Sequence, residues 1–371
     1  MVGGGIAGLA SAIELALAGA GVVVAEATGA PTERFGETLA PGVLARLDRL
    51  GLSEVFRSAG HLSCPGTAVC WGSDRIGHND FVLDPHGPAW HIDRSRFELM
   101  LRARAVQLGV EVLPATRVVD VEESGTRTVA AVRSPSGAPV GTRTVSARWL
   151  IDASGPTAWL ARRRDVGRVV IDRLVALVRI AAVAGSFTAQ TLVESTPEGW
   201  WYAARIPADR LVTVFVTEPR SARALISEGW AGWHWALGAT RLLADRLADA
   251  GVTAEGAAFR VGSIGVSRLS RVAGERWLAV GDAAAQLDPI AGRGIHDALG
   301  DAGHAARLVA ESLRGGRPAI AEFGDRVHAR FAEHLTQREG WYDVERQWPA
   351  APFWRHRAAG LLRARPAATV R

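Results

Sequence analysis

The chain contains no lysine. All 43 of its basic residues are arginine, set against 38 acidic ones for a formal charge of +5 over 371 residues. A nucleic-acid-binding chain would gather such charge into a basic tract. Here the arginines are scattered, and only Arg162, Arg163 and Arg164 run together. A compositional replacement of lysine by arginine explains the basicity, and no nucleic-acid partner is expected. Cysteine is scarce as well. Cys64 and Cys70 form neither a disulfide framework nor a zinc site, which points to a reducing compartment and a cytoplasmic location. No window offers the ~18 uninterrupted apolar residues of a membrane span. The apolar first 25 residues resemble a signal peptide only superficially: they lack a basic start, carry Glu14, and hold glycines at 3, 4, 5, 8, 19 and 21. Internal repeats and long low-complexity linkers are also missing.

What is present begins at residue 3. Gly3, Gly5 and Gly8 match GxGxxG, and the context gives the match its meaning. Residues 6–20 read as a helix with Leu9, Ile13 and Ala16 or Leu17 on one face. Gly19 and Gly21 end it, and Val22–Ala25 reads as a buried strand closing on Glu26. Gly3 permits a tight turn, Gly5 lets backbone approach a pyrophosphate, and Gly8 lets the helix pack close to a sheet. The helix start offers N–H groups and partial positive charge to that phosphate. Glu26, 18 residues after Gly8, stands where an acid accepts adenosine ribose hydroxyls. Only Met1 and Val2 precede Gly3, whereas the feeding strand of this fold usually has about five residues. The expectation is that the natural start lies several residues upstream and that a longer chain holds its cofactor more tightly.

A second motif lies far along the chain. Trp277–Ala284 reads as a buried strand ending in Gly281-Asp282. Asp288-Pro289-Ile290-Ala291-Gly292-Arg293-Gly294-Ile295-His296 then leads into a helix over 297–313. A strand-end aspartate can bind a ribityl hydroxyl, Pro289 stiffens the loop, and a glycine pair before a helix offers close backbone approach.

These two motifs together resemble the FAD-binding fold shared by aromatic hydroxylases, flavin-dependent halogenases and geranylgeranyl reductases. The resemblance implies an α/β, Rossmann-like FAD-binding fold of the glutathione-reductase or p-hydroxybenzoate-hydroxylase type. It also implies an antiparallel-sheet substrate layer and C-terminal helices. Further segments extend the likeness. Gly36-Glu37-Thr38-Leu39-Ala40-Pro41 is similar to the strap laid over the flavin in the halogenase and reductase branch. Arg94, at the head of a helix, and Val118, in a strand whose backbone reads adenine, match family positions. Asp152-Ala153-Ser154-Gly155 resembles the family's turn after a buried strand. The resemblance implies FAD contacts at Gly3, Gly5, Ala7, Gly8, Glu26, Glu37, Thr38, Arg94, Val118, Asp282, Pro289, Gly292, Gly294 and Ile295. More narrowly, Trp71-Gly72-Ser73, Trp90–Arg94, Gly199–Tyr202 with Ile206-Pro207, and Glu345–Arg355 resemble the tryptophan-halogenase-like maturation flavoproteins of quinone-cofactor (cysteine tryptophylquinone) oxidases. Those are implicated in oxygenating a tryptophan of a partner protein.

The halogenase branch relies on a lysine that handles hypohalous acid and on a W-x-W-x-I-P signature. This chain has no lysine, and its corresponding stretch reads Tyr202-Ala203-Ala204-Arg205-Ile206-Pro207. Arginine stays protonated and is a weak nucleophile. The expected activity is therefore FAD-dependent monooxygenation of an aromatic, tryptophan- or indole-like substrate, free or on a partner protein. Cofactor chemistry dominates, with the protein positioning the ring and excluding water. His91, His296 and Glu37 are the candidates for proton handling. Each has a structural alternative: a satisfied strand histidine, a helix cap and a strap residue. Trp201 or Tyr202 is expected to face substrate. No second GxGxxG follows a strand, so electrons come from transient NAD(P)H or a partner flavin reductase. A halogenase, a reductase of isoprenoid double bonds, or a non-catalytic FAD-binding assembly factor remain the competing readings.

The cofactor domain is expected to be discontinuous, from 1–60, 91–158 and 260–315. Residues 61–90 and 159–259 form the substrate layer, and 316–371 a C-terminal helical tail that is arginine-rich from 355. Within the layer, 174–180, 191–194, 200–206 and 211–216 read as antiparallel strands with short turns, and 221–250 as helical.

Overall fold

The computed structural model describes residues 1–29, 36–134, 142–252 and 259–358, and the backbone of 368–370. Most of the arginine-rich tail beyond 355 lies outside the described residues, as do 30–35 in front of the strap.

Buried β-branched and aliphatic runs build a parallel sheet. Val23–Ala25 pairs with Glu111–Leu113, and Leu150–Asp152 with Trp277–Ala279, both in parallel. Met1 and Val2 occupy the space between these pairs. Val2 bridges Ala25 on one side and Asp152 on the other. Its N–H donates to the Ile151 carbonyl at 2.9 Å, and the Ala153 N–H donates to the Val2 carbonyl at 2.8 Å. Two residues thus supply the hydrogen bonds of the central strand. The helix Ile6–Leu17 rises from them, buries Leu9, Ala10, Ala12 and Ile13, and packs against the helices Gly294–Leu313 and Arg94–Gln107. Asp93 starts the latter by accepting the Arg96 N–H at 3.0 Å, which is ordinary N-capping.

The other large unit is a nine-stranded sheet. Arg168–Ala182 lies near its middle, paired antiparallel with Arg210–Thr217 and with Arg260–Leu269. Arg210–Thr217 continues to Gly199–Ile206, then Thr191–Thr196, Gly66–Cys70 and the edge strand Ile76–Asp80. The four strands expected over 174–216 all form. Residues 260–269, grouped by sequence with the cofactor segments, pair instead with this sheet. Residues 62–64 and 89–90, grouped by sequence with the substrate layer, form a small sheet with His91 and Thr38–Leu39 of the cofactor segments.

Adjacent Trp200 and Trp201 point to opposite faces, as strand geometry requires. Trp201 is fully buried, stacked on Phe215 at 4.6 Å and edge-on to Trp233 at 4.8 Å. The helices Pro219–Glu228, Trp230–Gly238 and Leu242–Asp249 cover that face. Gly229, at φ 57, breaks the first from the second. Buried Glu194 accepts the N–H groups of Arg241, Leu242 and Leu243 and so fixes the start of the third. Trp200 packs on the other face with Tyr342, Phe353 and Trp354. These come from the helices Ile320–Val344 and Pro352–Arg355. The tail is not helical throughout: Ala368–Val370 is a strand paired with Arg168–Val170. Among the described residues no helix is long and apolar enough to cross a membrane.

Two glycines carry opposite expectations. A Cβ on Gly8 would overlap the Gly3 carbonyl oxygen and meet the Ala153 side chain at 3.1 Å, whereas one on Gly294 would meet nothing within 4 Å. Gly8→Ala should lower unfolding stability by about 1–3 kcal/mol through overpacking. Gly294→Ala should leave it unchanged or raise it by up to about 1 kcal/mol. Urea midpoints of the two variants check the pair, and equal midpoints would contradict this packing.

Candidate active site

The first cradle is built from backbone. Gly3 holds φ +103, and a Cβ there would also lie 2.4 Å from the Ala153 carbonyl oxygen, so only glycine fits. Gly5 caps the helix Ile6–Leu17 with no side chain, and the first turn holds no acidic residue. First-turn amides of a helix have no intrahelical acceptor, so this end is left to an anion. Glu26 closes one side. Its Oε2 accepts the Gly4 N–H at 2.5 Å, and its Oε1 accepts the Thr28 N–H and hydroxyl at 2.8 and 2.7 Å. The carboxylate is thereby fixed in place beside the glycine turn. Val118 is buried beside Val2 and Ala25 at this end.

Folding brings the late motif against the early one. Gly281, at φ +58, sits so near the first helix that a Cβ on it would lie 2.9 Å from that of Ala7. Asp282 follows it, exposed. Beyond lie exposed Pro289, Gly292 at φ +60, Gly294 and buried Ile295, which opens the long helix without a side-chain cap. Glycine backbone and a strand-end carboxylate therefore come together beside two packed helices whose starts carry no side-chain cap. This donor set fits a dinucleotide carrying an extended polyol and a flat ring.

Asp288, which the sequence reading passed over, anchors the loop. It is buried, accepts the Ile290 N–H at 3.1 Å, and receives Arg338 Nε at 2.7 Å and the Tyr342 hydroxyl at 3.0 Å. Its own N–H donates to His334 Nε2 at 3.1 Å. Arg338 also pairs with Asp172, which Arg357 holds from the other side at 2.8 Å. A buried charge is tolerated only in such company.

The strap lies over the other side. Thr38 pairs with His91 across the small sheet, and its hydroxyl lies 2.6 Å from the Tyr202 hydroxyl. Burial pushes the Tyr202 phenol above its ordinary range, with Glu37 nearby adding to the effect. Glu37 is buried. Its Oε2 accepts the Gly36 N–H at 2.9 Å, and its Oε1 has no partner among the described residues. Burial raises its pKa to about 7, and Arg94 and Arg210 only partly oppose this. Arg94 is tied to Glu98 at 3.0 Å and reaches the Gly36 carbonyl at 3.4 Å.

The remaining candidates separate. His91 is buried with Nε2 2.8 Å from the Thr191 hydroxyl, and burial holds its pKa down to about 4. His296 accepts Arg46 Nε at 3.1 Å on its Nε2, and burial followed by Arg46 holds it at about 4. Arginine only donates, so the ring proton is on Nδ1, which is buried without a partner among the described residues. Trp201, expected to face substrate, is instead core. Phe215 and Trp233 occupy its two sides, leaving no accessible surface. The neighbouring Tyr202 points to the strap.

A cavity of about 450 Å³ opens beside the strap. His61, His91, Phe187, Arg205 and Ile206 are among its walls. His61 and Phe187 escaped the sequence reading because each is an isolated residue whose neighbours along the chain carry no motif, and Arg205 was read there only as part of the Tyr202–Pro207 stretch, with no role of its own.

The comparisons with known proteins agree with this geometry. LodB of Marinomonas mediterranea, named as an FAD-dependent oxidoreductase, is 27% identical over 365 residues, covering 97% of this chain and 96% of its own. The flavin-dependent halogenase armH3 of Armillaria mellea is 29% identical over 342 residues, 85% of this chain and 67% of that protein. The flavin-dependent halogenase CmlS superposes with a TM-score of 0.83 at 25% identity, over 96% of this chain and 66% of that one. The peptidyl tryptophan dihydroxylase QhpG does so at 0.71 and 23%, over 96% and 77%, a likeness of fold. The FAD binding domain family matches residues 1–339. The chain belongs to that family, its cofactor is FAD, and it is an FAD-dependent oxidoreductase.

Proposed function

We propose that this enzyme oxygenates an electron-rich aromatic ring, of tryptophan or indole type, presented free or by a partner protein. One observation carries the choice of oxygenation over halogenation: the chain has no lysine, so no amine is available to handle a hypohalous acid beside the strap. Arginine cannot replace it as a nucleophile. LodB matches nearly end to end, and the name of QhpG places a peptidyl tryptophan on this fold. The halogenase relatives favour a second reading, flavin-dependent halogenation.

In the proposed arrangement Gly3, Gly5, Ala7, Gly8, Glu26 and Val118 hold the adenosine diphosphate half of FAD. Asp282, Pro289, Gly292, Gly294 and Ile295 hold the ribityl and ring half, with Glu37, Thr38 and Arg94 across it. Segments 1–60, 91–158 and 260–315 supply the cofactor contacts, and 61–90 and 159–259 the substrate layer. Bound FAD supplies oxygen activation once reduced by NAD(P)H or a partner flavin reductase. The strap and its Thr38–Tyr202 contact exclude water. Glu37 Oε1 is the atom best placed to hold a proton near neutral pH. His91, kept neutral and bound to Thr191, positions the strap. His296, neutral with its proton on Nδ1, orients the start of the late helix.

Incubation with FAD, a reducing system, isotope-labelled dioxygen, chloride and bromide separates the two readings. With indole and a tryptophan peptide as substrates, products should carry labelled oxygen and no halogen. A halogenated product would overturn the proposal.

Glu37 makes a second expectation. Its pKa is raised from 4.5 to about 7, so the folded state favours its protonated form. That contribution is present at low pH and is lost as pH rises from about 4.5 through 7. Glu37→Gln copies the protonated form. The variant should therefore gain stability relative to the parent across that window, by roughly 3 kcal/mol at most. Denaturant titrations at pH 5 and pH 8 check it, and a constant difference would show that Glu37 is ionised throughout.

A further inference from the structure

The strap and the late loop are fastened to one strand of the large sheet. Trp200 and Tyr202 are two residues apart on Gly199–Ile206, so they share a face. The Tyr202 hydroxyl meets that of Thr38 in the strap at 2.6 Å. The Trp200 indole N–H donates to the Tyr342 hydroxyl at 3.0 Å, and that hydroxyl donates to Asp288 at 3.0 Å. Ile290 of the late loop packs into the same apolar cluster as Trp200, Tyr202 and Tyr342.

A second line reaches Asp288 from the middle of the sheet. In Arg168–Ala182 the register with Arg260–Leu269 shifts between Val170 and Asp172. An irregularity of this kind re-aims the side chain beside it. Asp172 is met by Arg338, whose Nε also donates to Asp288 at 2.7 Å. Arg357 grips both oxygens of Asp172, at 2.8 and 3.0 Å, and reaches Glu218 at 3.0 Å. The Arg338 and Asp288 side chains are 1% and 0% exposed. Charges buried so deeply need all of their partners, so the place of Asp288 is over-determined. Asp288 in turn accepts the Ile290 N–H, which fixes the turn Pro289–Ala291 ahead of Gly292 and Gly294.

We propose that Arg338 and Tyr342 are positioning residues for the flavin ring: through Asp288 they set where the Pro289–Ile295 loop stands relative to the strap. The C-terminal segment that carries Arg357 then acts on the cofactor site, although it lies outside the segments that supply cofactor contacts. This inference rests on the assignment of that loop to the ring half of FAD. The adenosine half is independent of it, since Glu26 and the glycine turn bond to one another and to Thr28 rather than to this network.

Dissociation constants of FAD and of ADP, measured on the full chain freed of cofactor, separate the two halves. Flavin fluorescence anisotropy of the reloaded protein reports how firmly the ring is held. Tyr342→Phe removes one hydroxyl and keeps the aromatic packing. It should weaken FAD about tenfold, the scale of a hydrogen bond to a charged group, lower the anisotropy, and leave ADP within about twofold. Asp172→Asn should act in the same direction, although Asp172 is bonded to Arg338 and Arg357 rather than to the loop or the strap. In an Arg338→Gln background it should add nothing, since both changes break one line. Arg338→Lys should not restore parental FAD affinity, because one ammonium cannot reproduce a planar fork spanning two carboxylates. Should Arg338→Gln fail to fold, Tyr342→Phe and Asp172→Asn decide. FAD and ADP weakened alike, or neither weakened while the urea midpoint falls, would show a network that only stabilises the fold and overturns the inference. That result alongside an oxygenated product would leave the oxygenase reading standing. Selective loss of FAD affinity alongside a halogenated product would do the reverse.

Discussion

The close approach of Gly281 to Ala7 is the contact on which the rest of the molecule depends. It is possible only because Gly281 has no side chain and Ala7 has a small one. Through it the start of the chain and a strand end far along it share one groove. Met1 and Val2 make the approach rigid by hydrogen bonding to both flanking strands. Gly8 completes it by letting the helix settle on the turn. A bulkier residue at any of these places would separate the uncapped helix start from the Gly281-Asp282 strand end. Neither alone encloses a dinucleotide.

A second layer of constraint holds the far half of the groove. The Pro289–Gly294 loop has little core of its own, and buried Asp288 ties it to Arg338 and Tyr342 of a C-terminal helix. Tyr342 in turn receives the Trp200 indole N–H at 3.0 Å. The C-terminal helices thus buttress the loop. Burial then sets the chemistry. Glu37 is raised toward neutrality and His91 and His296 are kept uncharged, beside the ion pairs Arg94–Glu98 and Arg210–Asp93.

Much of this was legible in the sequence wherever function is written in backbone. Glycine at 3, 8 and 281 marks places where a side chain would collide, and Gly292 marks a left-handed turn at φ +60. Apolar runs on either side gave a helix over residues 6–20, which ends three residues earlier at Leu17, and the strand before Gly281. Strand alternation likewise gave the four strands from 174 to 216. Trp201 was misjudged because alternation says that Trp200 and Trp201 face opposite ways without saying which side carries the helices. Phe215 and Trp233 decide that, and they belong to other elements. Asp288, Arg338 and Asp172 were silent because a buried ion network leaves no pattern along the chain. His61 and Phe187 were silent for the same reason, since they meet only when the strap sheet folds against the hairpin at 207–210. The placing of 260–269 in the large sheet follows from its pairing with 168–178, which no local signal announces.

The account stands on a single FAD stretched across both motifs, with its adenosine end at Glu26. Dissociation constants for FAD and FMN, in the parent and in Glu26→Ala, test this most directly. The account predicts that the parent binds FAD far more tightly than FMN, and that the substitution weakens FAD strongly while leaving FMN almost untouched. Equal affinity of the parent for the two flavins, or an FAD affinity indifferent to Glu26, would contradict it.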